Sequence, residues 1–211
     1  MARLRWIGFV IPLWLCIGVI ISANLYPDYS HTQQALSELH ALGSPIAQLS
    51  PMLNNYPLGL LFLSFGLLVW KLAPNNLLRA TSICIALHGL GTWVAGYFPC
   101  DVGCNPNSEL TSQLIHNTAG AIMSLALLLA PIMWAISLRK ERSDKLFFWL
   151  TLATIIGQLI PIPAMIEALE SGGSFGLYQR ISYGFALAWL PLLSMQISSK
   201  IEPRVNSQTR Q

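Results

Sequence analysis

Four side chains, His31, Glu38, Asp101 and His116, are of the types that carry acid–base or metal chemistry. Histidine and carboxylate together can pass a proton at neutral pH. They are also ligands that suit a divalent metal such as zinc, and His31, Asp101 and His116 would leave a fourth position open to activate water. Ser37 adds a hydroxyl that such a site could polarise, and Tyr178, Gln179 and Arg180 add groups that could hold a ligand. Arginine makes bidentate contacts to carboxylate or phosphate, so Arg180 could grip a lipid phosphate or pair with Asp101 or Glu38. The same residues read equally as hydrogen-bonded architecture, because polar groups within a membrane need partners whether or not they react.

The elements that must position them are set by composition. Hydrophobic residues make up 54% of the 211-residue chain and charged residues only 10%, whereas a soluble domain carries about a quarter charged. About 20 apolar residues are needed to cross a core of roughly 30 Å. Six segments qualify, at 6–25, 56–73, 77–98, 112–137, 146–166 and 177–197. The expected fold is an all-α, polytopic membrane bundle of six transmembrane helices spanning 1–200, with a flexible tail over 201–211. Eleven of the twelve Lys and Arg residues fall on one side of these spans and Arg180 alone on the other. Basic loops stay cytoplasmic, so both termini are expected inside. Six of the nine carboxylates then face outward. The net charge of +3 therefore gives no reason to expect a nucleic-acid partner; membrane lipids are the expected partners, and a bacterial inner membrane the expected location. The first segment has a basic start but no small-x-small cleavage site before Tyr26, and reads as a retained helix.

The first outer loop, 26–55, is far longer than the usual connection of about 4–6 residues. Ser30 can cap a helix, Ala35, Leu36, Leu39 and Leu42 recur at helical spacing, and Gly43-Ser44-Pro45 supplies a stop. This predicts an amphipathic helix on the outer interface. His31, Gln34 and Glu38 share one face of it, and Gln33, Ser37 and His40 another. Either face could turn into the bundle; the plainer reading leaves both solvated.

In the second outer loop, Cys100 and Cys104 lie four apart on the oxidising side, which predicts a disulfide with Gly103 easing the tight turn. A redox-active pair is the alternative. Cys16 and Cys84 sit within spans and read as packed thiols. His88 lies roughly 15 Å below the outer end of its helix at 1.5 Å per residue. A buried imidazole bonded to a neighbouring helix is its plainer reading, and a functional intramembrane group the sharper one. His116 sits near the outer end of the fourth span, with Gln113, Asn117 and Gly120 on a polar, small-residue face. The depths of His88 and His116 disagree by most of 10 Å, which argues against a shared haem. The last spans carry no lysine for a retinal Schiff base.

Several runs together resemble a known family. They are Tyr29-Ser30-His31, Leu36-Ser37-Glu38-Leu39, Gly43-Ser44-Pro45, Phe98 through Cys104, His116-Asn117 and Tyr178-Gln179-Arg180. In combination they resemble domain of unknown function 998, a family of bacterial multi-pass membrane proteins, over nearly the whole chain. The first loop is also distantly similar to the damage-regulated autophagy modulator and Sfk-type membrane families, which implies a theme of lipid handling. The Ser, Asp and His set of alkaline-ceramidase-type membrane hydrolases is similar in kind, but this chain has six expected spans and no paired His motif on a late helix. Three readings follow: a lipid-directed hydrolase or lipid-modifying enzyme, a non-enzymatic protein that binds a lipid or small ligand, and a proton-coupled transporter.

Overall fold

A computed structural model describes residues 6–141 and 144–208, with side chains to Arg139 and from Asp144 to Ile197. The described residues form helices and connecting turns. α1 spans Ile7–Asn24, α2 Leu49–Leu53, α3 Asn55–Leu72, α4 Asn76–Tyr97, α5 Thr111–Glu141, α6 Lys145–Leu159, α7 Ile162–Ser171 and α8 Phe175–Gln208. Five helical segments among the described residues are long and apolar enough to cross a membrane: α1, 49–72, α4, 111–139 and 145–171. The sixth expected span, 177–197, lies within α8 but is not among these five.

Beside its apolar core, the bundle turns large apolar side chains outward and buries small polar ones. Leu13, Ile20, Leu60, Leu114 and Trp149 are each more than half exposed, while Ser22, Thr81, Ser82 and Thr92 are buried. Outward leucines beside inward hydroxyls suit a lipid-facing surface, since small and hydroxyl residues let membrane helices approach closely. The crossing of α3 and α4 shows this. A side chain on Gly89 would come within 2.8 Å of the Gly59 carbonyl and 2.9 Å of Phe62 Cβ, so glycine permits the contact.

Proline and asparagine mark the breaks. The expected span 146–166 divides at Ile160–Pro161, and α7 starts afresh on Pro161 as its N-cap; proline lacks the amide that would continue the ladder. α2 and α3 meet at Asn54, the C-cap of one and the N-cap of the other. The helix of α8 continues through most of the expected tail, to Gln208, and 209–211 lie outside the described residues, as do Arg3, Arg5, Arg142 and Arg210.

The apolar core gathers at the end of the bundle with the short connections. Ile11, Phe65, Trp134, Trp189 and Leu193 interlock there, and buried Trp134 Nε1 donates to Gln196 Oε1 at 2.6 Å. The opposite end, under the two long loops, is built of polar residues and is less filled.

Candidate functional site

The first loop is a lid fixed by its own side chains. Gln34 Oε1 accepts the Ser30 amide at 2.8 Å, and Glu38 accepts the Ala35 amide at 2.7 Å and Gln34 Nε2 at 3.0 Å. Side-chain bonds to nearby amides compete with helix formation. The expected interfacial helix from Ser30 is therefore found as turns and a 3-10 helix over Leu36–His40, ended by Gly43 at φ 81°. Leu39 and His40 are buried, so this segment turns into the bundle.

The start of α8 holds the lid. Arg180 donates to the Gln34 carbonyl at 2.8 Å and to the Tyr29 hydroxyl at 2.6 Å, and Tyr29 in turn donates to the Ala35 carbonyl at 2.8 Å. The Gly176 and Leu177 amides donate to the Gln33 and Thr32 carbonyls, and Gln179 Oε1 accepts the Leu36 amide at 2.8 Å. A Cβ on Gly176 would strike the Gln34 carbonyl, so glycine is what lets the two chains meet. Burial pushes the Tyr29 phenol up, against the pull of Arg180, which keeps it a neutral donor.

The second loop is tied to both neighbours. Cys100 and Cys104 form the disulfide, with Gly103 at φ 65° and Cys104 at φ 50° in the left-handed turn between them. The Leu42 amide donates to the Cys100 carbonyl at 2.9 Å, and Ser37 Oγ lies 3.3 Å from Cys104 Sγ. The Asp101 amide donates to Gln113 Oε1 at 2.7 Å, and Gln113 Nε2 to Asn117 Oδ1 at 2.8 Å. The Asp101 carboxylate accepts the Val102 amide at 2.7 Å, and the Ser108 hydroxyl with that amide holds it below the usual carboxylate range.

Two histidines close the end of α4. The final carbonyls of a helix lack intrahelical donors. Ala95 O is met by His40 Nε2 at 3.2 Å and by His116 Nδ1 at 3.1 Å, and His116 Nδ1 also reaches Phe98 O at 2.8 Å. A carbonyl only accepts, so both bonded nitrogens carry protons, and the neutral form of each ring keeps its lone pair on the other nitrogen, His40 Nδ1 or His116 Nε2. Their centroids are 5.5 Å apart, and the residues are 4% and 8% exposed. Burial, followed by the neighbouring His116, pushes His40 down to about 4.

Deeper in the bundle, His88 Nδ1 donates to the Met123 carbonyl at 3.1 Å and Nε2 accepts from Tyr183 Oη at 3.0 Å, while the ring packs on Phe62. His88 thus joins α4 to α5 and α8 as a buried, bonded imidazole, the plainer of its two sequence readings.

Between the lid and the core lies a cavity of about 770 Å³. His40, His116, Gln179, Glu38 and Ser37 line its lid end; His88, Tyr183, Asn54 and Gln158 lie along its walls; Leu15, Val19, Leu58, Leu127 and Met165 give it apolar surface. Asn117, Ala121 and Ser124 line it from α5 yet stay exposed, so it is open along that wall. Gln158 is 5% exposed, and its Nε2 has no hydrogen-bond partner.

The sequence profile described as "Protein of unknown function (DUF998)" matches residues 9–196. The chain belongs to the DUF998 family. No curated protein and no solved structure matches this DUF998 chain.

Within the DUF998 bundle the expected site residues separate. His116, Glu38, Ser37 and Gln179 line the cavity; His31, Asp101, Tyr178 and Arg180 do not. His31 is exposed, edge-on to Tyr29 at 5.4 Å. Among the described residues no three His, Cys, Asp or Glu side chains group so as to hold a metal ion, so the donors expected for zinc do not fit one. Arg180 is engaged by uncharged oxygens of the lid and is not presented to the cavity. Sequence reasoning missed Gln158 and Tyr183 altogether and left His40 solvated. A glutamine inside the apolar run Thr154–Leu159 is the signal that could have found Gln158, because an intramembrane amide has to bond to something.

Proposed function

We propose that this DUF998 protein is a non-enzymatic binding protein of six spans, with both termini cytoplasmic and the lid on the outer face, whose cavity takes up an amphiphile from the membrane. The observation that carries this is the cavity itself. Its volume falls in the range of roughly 300–1,000 Å³ typical of small-molecule sites. It couples a polar lid end to apolar walls, and the α5 side is open toward lipid. The distribution of basic residues supports the orientation. Hydrolysis is the second reading, favoured by one observation, a histidine, His116, in the cavity lining with hydrogen bonds at Nδ1 alone. The carboxylates expected beside it are occupied elsewhere: Glu38 caps the lid and Asp101 caps Val102.

Gly120 gives the decisive variant, since it lines the cavity and a Cβ there meets nothing within 4 Å. Solvent extraction and mass spectrometry of the purified protein should yield an amphiphile near one per chain, and Gly120→Phe should lose it while eluting as the same species. Equal lipid content in both proteins would refute the binding reading. Turnover of the bound amphiphile by wild type, abolished in His116→Asn, would replace it with the enzymatic one.

A further inference from the structure

We infer that the polar end of the ligand is an uncharged hydrogen-bond donor, a hydroxylated head, and that the cavity discriminates against anions. The inference rests on the binding reading above and adds the chemistry of the head. His40 Nδ1 and His116 Nε2 are both left as acceptors, because each ring spends its proton on the Ala95 carbonyl. Two acceptors side by side call for a group that donates, and hydroxyls do. Among the described residues that line the cavity, Glu38 is the one carboxylic acid and none is Lys or Arg. An anionic head would enter a low-dielectric site holding a carboxylate and no counter-charge, which costs much more than hydrogen bonding returns. The one outer-face cation, Arg180, is spent on Gln34, Gly176 and Tyr29. His40 offers no charge either, since burial keeps its ring neutral well below pH 7. A donor is also left over in the wall: the partnerless Gln158 Nε2 is buried, and turning this side chain into the cavity would let it meet an ester or ether oxygen behind the hydroxyls. The orphan amide and the two free ring nitrogens are independent observations, and they specify the same molecule, a hydroxylated head on an oxygen-linked chain.

The test is equilibrium binding of tritiated mono-oleoylglycerol to the full chain in phosphatidylcholine nanodiscs, competed by 1-oleoyl-lysophosphatidate. The competitor keeps the same chain and one of the two hydroxyls and carries a phosphate in place of the other. Mono-oleoylglycerol should bind at least tenfold tighter than lysophosphatidate, and Gly120→Phe should abolish its binding. Gln158→Leu should weaken it about fivefold while leaving the lid intact, as read by protection of the Gly176 amide. Water-soluble 1,2-octanediol separates the two sources of such a head: competition by it from the aqueous phase marks a soluble ligand, and its failure marks a membrane lipid. Both of these results support the inference. If lysophosphatidate binds as tightly or tighter and Gly120→Phe removes it, the head-group inference falls while the cavity reading stands. If neither probe binds, or binding survives Gly120→Phe, the cavity reading falls and takes the inference with it.

Discussion

Replacing Arg180 by Met keeps the apolar stem and deletes the clamp between α8 and the lid. Two bonds cross that boundary, to the Gln34 carbonyl at 2.8 Å and the Tyr29 hydroxyl at 2.6 Å. Hydrogen bonds to a charged group contribute about 1.5–3 kcal/mol each. The low end applies here because Arg180 is half-buried, its Nε has no partner, and Met removes that burden as well. The lid should therefore lose about 3 kcal/mol, and its open population should rise on the order of 100-fold. Hydrogen exchange reads this directly at the Gly176 amide, which is bonded to the lid carbonyl of Gln33 and is freed when the lid lifts. Amides in the middle of α4 should not change. Arg180→Lys should fall between, because a single ammonium cannot reproduce the planar fork. Acceleration of less than about threefold in Arg180→Met, with α4 protection intact, would show that the backbone bonds alone seat the lid and that this account of Arg180 is wrong.

Three further outcomes follow from the geometry. His40, ordinarily titrating at 6.5, is pushed down to about 4 in the fold; below pH 6.5 the unfolded chain binds the proton first, so about 3 kcal/mol of stability is lost as pH falls from 6.5 toward 4. Melting curves in detergent across that window should show the slope, and His40→Phe should flatten it. Tyr183→Phe takes the donor from His88 Nε2, and at about 1 kcal/mol for an interhelical bond in a membrane should lower the melting temperature by roughly 2–4 °C; no change would mean that water replaces the hydroxyl. Gly89→Val forces side-chain atoms onto the Gly59 carbonyl and should cost about 3 kcal/mol, whereas Gly120→Ala, facing open space, should be neutral; size-exclusion profiles and melting temperatures compare the pair.

Hydropathy alone located the five long apolar helical segments, because a lipid-facing surface writes itself into runs such as α1 and α4. Their interruptions were harder to see. Pro161 sits within an apolar stretch, and only its missing amide divides α6 from α7. The disulfide was legible because four residues and a glycine leave Cys100 little choice of partner. His88 was legible in kind, as a costly polar group at depth, but Tyr183, 95 positions away, could not be paired with it from sequence. Of the four residues expected to carry chemistry, His116 and Glu38 reach the cavity while His31 and Asp101 do not. That division turned on the lid. Local bonds from Gln34 and Glu38 unwound the expected helix, and without helical periodicity the face bearing His31 no longer tracks with that bearing Glu38. His40, counted as solvated by its polarity, became a cap for the Ala95 carbonyl.

The bonds that seat the lid join residues 143, 146 and 151 positions apart. The first loop is therefore made well before its anchors on α8. Until α8 inserts, Gln34, Leu36 and Tyr29 lack the partners that hold them, and the half-built bundle stands open to the surrounding lipid. An unseated first loop is thus the mark of a chain in which α8 has not yet docked.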